Sequence, residues 1–304
     1  MTTAVVTPSV LAVRVQRMVR EKGALDRQES VEQMEVGTGL FLRARERFLA
    51  LSELPEAMPG SMLEKENELT TYNPLGSLVI AARVRAIDPL EMLLASILDD
   101  EREQMSARPM AMYALVRMSI EAAGVGLWLM HHSRQCERVY RSLCASFDAL
   151  NEYVNFATVI GTADEVTPYV KFRKKKIERL NELKDAVGPI RKRELKPKPR
   201  LWQIMTAVSP TVPPGVAHGP DSPYVIWKLA SNFLHGSDHV VRDLSDVQQL
   251  TEWKNGHADF MLTPSWQLLA SCVAACVIQI EQLDERYAHL ATTAYGDRSL
   301  LAAG

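Results

Sequence analysis

Two helical stretches in this sequence carry polar side chains that could bind a substrate and act on it. Arg117 and Glu121 lie one turn apart inside the apolar run from Pro109 to Met130. An ion in such a run must be paired and hydrogen-bonded or must face a cleft, because burying an unpaired charge costs free energy. The order Arg before Glu is the less favourable one for a pair within a helix, which indicates partners on another helix. The structural alternative is a buried ion pair that fixes the helix register.

The second stretch is the segment Ser231–Gly236, with the sequence SNFLHG. Ser231 and His235 are four residues apart and therefore share a helix face. A histidine can act as general acid or base because its ordinary pKa lies near neutrality. The alternative is a capping histidine, whose cation is favourable at a helix C-terminus. No G-x-S-x-G motif accompanies the serine, so a serine hydrolase is not expected.

The segment from Lys171 to Arg200 is strongly basic. It holds 13 lysines and arginines against 4 acidic residues, in a chain whose net charge is −2. Such a run can contact phosphates, although the alternative is a solvated helix face. The candidate substrate-binding cations belong to this segment and to the helix before it: Lys174, Lys175, Lys176, Arg191, Arg193, Arg138 and Arg141.

A metal centre is not predicted. His131, His132 and Cys136 come nearest to a ligand pattern, and no second cluster supports them. No P-loop is present, and no G-x-G-x-x-G follows a strand, so classical nucleotide folds and a bound cofactor are not expected. The four cysteines lie in pairs within predicted helices, which indicates reduced thiols rather than a disulfide framework.

Helices must position these residues, because helical spacing dominates the sequence and no alternating strand pattern of useful length is found. We predict an all-α fold, an irregular bundle of about eight to ten helices around a buried central helix at residues 109–130. The predicted domains are an N-terminal helical extension (1–74), a helical core (75–290) with the basic segment at 171–200, and a flexible tail (291–304).

The spacing also predicts individual boundaries. A long connection is expected at Leu54–Pro74, an exposed linker at Pro189–Pro199, and residues 239–255 are ambiguous. The other predicted helices are Val10–Lys22, Arg27–Leu51 with an interruption near Gly37 and Gly39, Pro89–Met105 with Asp88 as N-cap, Glu137–Ala163, Val166–Val187, Leu201–Val208, Tyr224–Gly236 and Pro264–Leu290.

The sequence also bears on location. No N-terminal stretch has the basic start, apolar run and small-residue cleavage site of a secretion signal. The run at residues 110–130 approaches the length of a membrane span, but Arg117 and Glu121 near its middle argue against one. We therefore expect a soluble, cytoplasmic protein with no membrane attachment.

Taken together, these residues resemble a group of bacterial helical proteins over roughly Leu90 to Gly236. The shared features are an Arg-x-x-x-Glu-Ala core, a following Trp-Leu, an arginine-rich helix and a late S-x-x-x-H-G helix end. In this sequence they are Arg117 to Ala122, Trp128-Leu129, Arg138 with Arg141, and Ser231 to Gly236. Such proteins are similar to distant members of the HEPN superfamily, compact helical domains common in bacterial and phage toxin and defence systems.

The resemblance implies a metal-independent ribonuclease and a homodimer. In that superfamily an arginine and a histidine, usually spaced R-x4–6-H at a dimer interface, act on the scissile phosphate. This sequence departs from the pattern, because no arginine precedes His235 on its helix and Lys228 stands at the corresponding spacing. Arg117 or Arg138 would then supply the cation from another helix.

The catalytic roles that follow from this hypothesis are specific. His235 is the general acid or base, Arg117 and Lys228 stabilise the phosphorane charge, Glu121 orients Arg117, and Ser231 hydrogen-bonds the substrate. The expected partner is RNA or another phosphate-bearing ligand.

Two other functions stay open. The first is a non-catalytic scaffold or immunity-type protein, in which Arg117 and Glu121 are structural and the basic segment docks an acidic protein. The second is a small-molecule pocket lined by Tyr113, Trp128 and Trp227.

Overall fold

Helices dominate the architecture. The computed structural model of the protein describes residues 5–6, 11–16, 28–99, 104–105, 109–213 and 218–296. Within these ranges the helices are α1 (Val31–Leu49), α2 (Met62–Leu69), α3 (Leu75–Ile97), α4 (Pro109–Met130), α5 (Gln135–Ile160), α6 (Ala163–Asp185), α7 (Leu201–Val208), α8 (Pro223–Leu234), α9 (Asp238–Asp243) and α10 (Trp266–Thr292), with a 3-10 turn at Gly188–Ile190. The predicted all-α helical bundle is confirmed.

Short strands accompany the helices. They are β1 (Val5–Val6), β2 (Leu11–Gln16), β3 (Leu98–Asp99), β4 (Gln104–Met105), β5 (Ser245–Gln249) and β6 (His257–Pro264). One sheet has the order β1-β4-β3 and the other β2-β6-β5. Strand β6 pairs antiparallel with both of its neighbours. Residues 250–256 connect β5 to β6, and this connection ends in a turn at Asn255 and Gly256, which have φ angles of 52° and 79°.

The chain divides into two compact units. The first unit comprises Met1–Leu51, Arg85–Ala123 and Ser209–Glu281, and the second comprises Ser52–Val84, Gly124–Val208 and Gln282–Gly304. The predicted domain boundaries after residues 74 and 290 do not coincide with the edges of these units and stay predictions.

Aromatic contacts join the helices of the first unit. Phe41 on α1 lies 5.4 Å from the ring of Trp266 on α10. Tyr113 on α4 is wholly buried and stacks on Phe233 of α8, with ring centroids 3.9 Å apart. On α10, burial raises the pKa of the Cys276 thiol to about 12, so this sulfur stays protonated in the core.

The second unit contains two apolar clusters. One lies between α5, α6 and the 3-10 turn, with Val139, Leu143, Leu180 and Ile190 among its buried members. The other cluster joins α2, α7 and the parts of α3, α4 and α10 that belong to this unit. Its buried members include Leu63, Leu75, Val79, Leu127, Trp128, Ile204, Leu283 and Tyr287. The predicted central helix and α7 have the expected bounds, and α5 and α6 begin and end within a few residues of theirs.

Several predicted boundaries are wrong because tertiary burial outweighs local signals. Pro89 does not begin a helix but lies inside α3. A continuous buried stripe along this helix, which includes Val79, Ala86, Leu90 and Leu93, holds it together across the proline. The expected connection at 54–74 contains α2, which Ser61 caps by accepting from the N–H of Glu64.

The N-terminal predictions also need correction. Leu11–Gln16 forms strand β2 rather than part of a helix, and the rest of the predicted helix at 10–22 lies outside the described residues. Helix α1 continues through Gly37 and Gly39. At Gly37 a side chain would meet the indole of Trp266 at 2.8 Å, so the glycine allows close packing rather than a break.

Two helices are long and apolar enough to cross a membrane, Met110–Met130 and Trp266–Thr292. Buried residues make up 50% of the apolar window of the first helix and 61% of that of the second. Core helices of soluble proteins pass the same test of length and composition.

Helix α10 begins at Trp266, two residues after the predicted Pro264, because a distant carboxylate caps it. Glu29 accepts hydrogen bonds from the backbone N–H of Trp266 at 2.6 Å and of Gln267 at 3.0 Å. It also accepts from the hydroxyl of Ser265 at 2.6 Å. A carboxylate at this position satisfies unpaired donors and complements the positive end of the helix dipole.

We predict that Glu29→Ala lowers the free energy of unfolding by about 1–2 kcal/mol, the usual cost of losing a charged N-cap. Urea denaturation followed by circular dichroism measures the change. The control is Glu35→Ala, which removes an exposed carboxylate from α1. Equal stability of the two variants would show that Glu29 contributes no cap.

Candidate functional site

Glu121 lies at the centre of a hydrogen-bonded group that joins α4 and α8 in the first unit. Its Oε1 accepts from Nε of Arg117 at 2.7 Å and from the indole Nε1 of Trp227 at 2.6 Å. The side chains of Arg117 and Glu121 are each 23% exposed. The ion pair is therefore partly shielded from water and still accessible from solvent.

His235 completes this group. Nη1 of Arg117 lies 3.2 Å from Nε2 of His235. A guanidinium has only donors, so a hydrogen bond between the two groups requires Nε2 of His235 to accept. His235 is exposed, so the pair presents a fixed cation beside an imidazole at the surface of the unit. Arg117, Glu121 and His235, which the sequence singled out on two separate helices, thus come together within one chain.

The end of α8 sets the position of the imidazole. The helix ends at Leu234, and His235 is its C-cap residue. Gly236 follows with a φ angle of 63°, a left-handed conformation that glycine adopts without strain. One turn earlier, Phe233 is buried against Tyr113 of α4. The helix end at Gly236 and the contact between Phe233 and Tyr113 together hold the last turn of α8 beside Arg117.

The other two predicted catalytic residues have different surroundings. The hydroxyl of Ser231 donates to the backbone carbonyl of Trp227 at 2.8 Å, and the residue is buried. This hydroxyl is therefore engaged within its own helix. Lys228 is exposed, two turns before His235 and on the same side of α8.

Arg138 is held inside the second unit. Its side chain is 3% exposed and pairs with Glu66, whose side chain is 0% exposed. Nη1 of Arg138 donates to the carbonyls of His132 and Ser133 at 2.6 and 2.8 Å. These contacts leave the guanidinium no free face for a substrate, so the predicted substrate-binding role does not fit its position.

Arg141 and Arg193 line an open cleft of about 470 Å³ in the second unit. Arg193 donates to Glu137 at 2.6 Å and lies 3.5 Å from the ring centroid of Tyr140. The predicted exposed linker at 189–199 is therefore tied down, since Lys198 also pairs with Asp148.

The remaining predicted cations lie on the surface of the same unit. Lys174 and Lys175 are exposed on α6, and Arg191 is exposed after the 3-10 turn. Lys176 is half-buried, with its Nζ 5.0 Å from the ring centroid of Tyr72 and 5.2 Å from that of Phe172. The cations of the basic segment thus have three kinds of surroundings: some are exposed to solvent, Lys176 lies over aromatic rings, and Arg193 lines the cleft.

Sequence reasoning missed two residues. Trp227 was named only as a wall of a possible small-molecule pocket, and its contact with Glu121 was not expected. It shares the face of α8 with Ser231 and His235, at spacings of four and eight residues, so helical periodicity could have placed it beside them. Glu66, the partner of Arg138, is far away in the sequence and carries no local signal. Among the residues that the structure describes, no group of three His, Cys, Asp or Glu side chains lies together as a metal site would require.

Three histidines of the second unit share an arginine-rich environment. Burial lowers the pKa of His131, and the charges of Arg141 and Arg286 lower it further. Burial and neighbouring arginines lower the pKa values of His132 and His289 in the same way.

The pair of Glu66 and Arg138 leads to a stability prediction. Glu66→Ala should lower the free energy of unfolding by about 3–5 kcal/mol, because it leaves a buried guanidinium without a counter-charge. The control Glu68→Ala breaks an exposed ion pair with Lys65 on the same helix and should cost less than about 1 kcal/mol. Urea denaturation measures both, and a similar small loss in both variants would contradict the structural role of Glu66.

A second prediction concerns pH. Because these histidines bind protons less readily in the folded than in the unfolded chain, they contribute stability that is present above the unfolded pKa of about 6.5 and lost as pH falls below it. The free energy of unfolding should therefore decrease between pH values of about 7.5 and 5.5. In the double variant His131→Gln, His289→Gln this decrease should be smaller, and an unchanged pH slope would contradict the assignment.

Comparisons with models of known protein families, with curated protein sequences and with solved structures found no match to this chain.

Proposed function

We propose that this protein is a cytoplasmic, HEPN-like helical protein of the toxin or defence type, which binds RNA at the Arg117–His235 pair and cleaves it without a metal ion. The single observation that supports this is the 3.2 Å contact between the guanidinium of Arg117 and the exposed imidazole of His235. A fixed cation beside a basic nitrogen is the pairing that phosphate-ester cleavage requires.

A phosphate can enter this pair by exchange of hydrogen bonds. A non-bridging oxygen takes the N–H of Arg117 that now points at His235, which frees Nε2 as a base. Glu121 keeps the guanidinium in place through Nε, and Trp227 keeps the carboxylate in place. Arg117 and His235 therefore contact the substrate, whereas Glu121 and Trp227 position them.

The cleavage step uses the ribose 2′-hydroxyl as nucleophile. Nε2 of His235 takes the hydroxyl proton as the 2′-oxygen attacks phosphorus, and Arg117 stabilises the added negative charge of the phosphorane. The new O–P bond forms as the bond from phosphorus to the 5′-oxygen breaks, and water protonates the departing oxygen. The products are a 2′,3′-cyclic phosphate and a 5′-hydroxyl end, after which the imidazolium returns its proton to solvent.

The exposed cations favour a polyanionic partner. Lys174, Lys175 and Arg191 are exposed, and the segment Lys171–Arg200 has a large excess of positive charge. Such a surface attracts a nucleic-acid backbone without sequence preference and in a salt-dependent manner. In the first unit, Lys228 is also exposed, on the same side of α8 as His235.

The alternative is a non-catalytic scaffold or partner-binding protein whose basic surface docks an acidic protein. One specific observation favours it. The hydroxyl of Ser231 and the carboxylate of Glu121 are both satisfied by the protein itself, as in a purely structural contact between helices.

Cleavage of mixed-sequence RNA in excess EDTA tests the proposal. We expect the wild-type chain to produce cyclic-phosphate ends, and His235→Ala to reduce the rate by about 10²–10⁴, the usual contribution of a general base. Arg117→Met should have an effect of similar size on the rate. The matched control is His239→Ala, because His239 is also an exposed histidine in contact with an arginine, Arg242, at 3.2 Å.

Equal cleavage by wild type and His235→Ala, or none by either, removes the catalytic claim. Fluorescence anisotropy with a labelled single-stranded RNA then tests binding alone. Binding that weakens with salt supports an RNA-binding protein without activity, and no binding at low salt favours the scaffold.

A further inference from the structure

The cleft in the second unit has a fixed shape. It is bounded by the end of α4, by α5 and by the extended segment after the 3-10 turn, and Trp128, Tyr140, Arg141, Arg193, Lys196 and Pro197 line it. Its volume of about 470 Å³ is in the range of pockets for small organic molecules. All of these residues belong to one compact unit.

Side-chain contacts hold the extended segment against α5. The hydroxyl of Tyr140 donates to the carbonyl of Glu194 at 2.5 Å, and Lys198 pairs with Asp148. Arg193 donates to Glu137 while its guanidinium covers the ring of Tyr140. The cleft is therefore formed before any ligand arrives, which reduces the entropy cost of binding.

The charges in the cleft are not balanced. Arg193 is paired with Glu137, but in the described part of the chain no carboxylate lies within ion-pair distance of Arg141. Its Nη1 donates instead to the carbonyl of Trp128 at 2.5 Å, and its guanidinium lies 5.2 Å from the centroid of that indole. Arg141 is half-buried. A carbonyl dipole and an indole face its guanidinium directly, and Glu137, which pairs with Arg193, opposes its charge only from beyond ion-pair distance.

The ammonium group of Lys196 is a second cation at this cleft. Lys196 lines the cleft and is exposed, and no side chain of the described residues pairs with it. The carboxylate of Glu194 also borders the cleft and opposes part of this charge. With Arg193 balanced by Glu137, Arg141 and Lys196 against Glu194 leave the lining one net positive charge, which favours an anionic ligand. A phosphate monoester, with a charge of about −1.5 to −2 near neutral pH, gains more from two nearby cations than a singly charged group does.

The other walls are apolar. Pro197 and Pro199 line the cleft with apolar rings, whereas the rings of Tyr140 and Trp128 in the same lining lie against the guanidinium groups of Arg193 and Arg141. A ligand with a compact anionic group and a flat apolar body satisfies both parts of this lining.

From these observations we infer that the cleft binds a small organic phosphate monoester of up to nucleotide size, with its phosphate between Arg141 and Lys196 and its ring against the prolines. This reassigns Arg141 from the RNA contact expected from the sequence to a separate small-molecule site. The inference does not depend on the proposed ribonuclease, whose residues belong to the first unit.

Isothermal titration calorimetry of the full chain tests the inference, with phenyl phosphate and adenosine 5′-monophosphate as probes. We expect saturable binding of both below about 5 mM, with weaker binding of inorganic phosphate and of benzoate. Arg141→Met keeps the length of the side chain and removes its charge, and should raise the dissociation constant at least about tenfold. Lys196→Met should raise it by a smaller factor.

The matched control is Arg191→Met, which removes an exposed arginine of the same segment and should leave the dissociation constant unchanged. Lys196 is exposed, so its variant tests the site even if Arg141→Met does not fold. Absence of saturable binding of either phosphate ester, or equal loss in Arg191→Met and Lys196→Met, overturns the inference. Benzoate binding as tight as phenyl phosphate would overturn the preference for a phosphate.

Discussion

The carboxylate of Glu121 accepts two hydrogen bonds on one oxygen, from Arg117 and from Trp227. Arg117 lies on a helix that is otherwise apolar, where an unpaired guanidinium would be costly. Glu121 removes that cost and at the same time fixes the indole of α8. His235, two turns after Trp227, then meets a guanidinium that already has a defined direction. The order of the candidate site therefore depends on this carboxylate more than on either helix alone.

The ion pairs Arg117–Glu121 and Arg138–Glu66 differ in how much of each side chain is exposed to solvent. Arg117 and Glu121 are each 23% exposed, and Arg117 uses a further N–H to contact an exposed histidine. Arg138 is nearly enclosed with Glu66, and backbone carbonyls take its other donors. The guanidinium of Arg117 can therefore exchange its contact with His235 for one with a ligand oxygen. The guanidinium of Arg138 cannot bind a ligand without losing a hydrogen bond inside the protein. A sequence pattern of arginines on helices does not distinguish these situations.

The sequence predicted correctly the helices whose boundaries are marked by neighbouring residues. The bounds of α4 and α7 follow from their continuous apolar runs, and the end of α8 follows from Gly236. Pro89 misled the prediction of α3, because the buried stripe on both sides of the proline is worth more than its single lost hydrogen bond.

Long-range contacts lay beyond the reach of local patterns. Glu29 caps a helix more than 200 residues away, and Glu66 pairs with Arg138 across 72 residues. The meeting of Arg117 with His235 could be proposed from residue types, but their distance could not. Strand β6 was overlooked although it carried a signal, since Asn255-Gly256 before alternating apolar residues is typical of a β-hairpin.

That hairpin makes one part of the chain sensitive to length. In β6 the side chains of Ala258, Phe260 and Leu262 are buried, and those between them are more exposed. Because side chains alternate with a period of two, an insertion or deletion of one residue between the turn and Ala258 would turn all three buried side chains to the opposite face. Natural variants of this protein are therefore expected to exchange residues on the outer face of the strand freely, and to keep the number of residues between Asn255 and α10 constant.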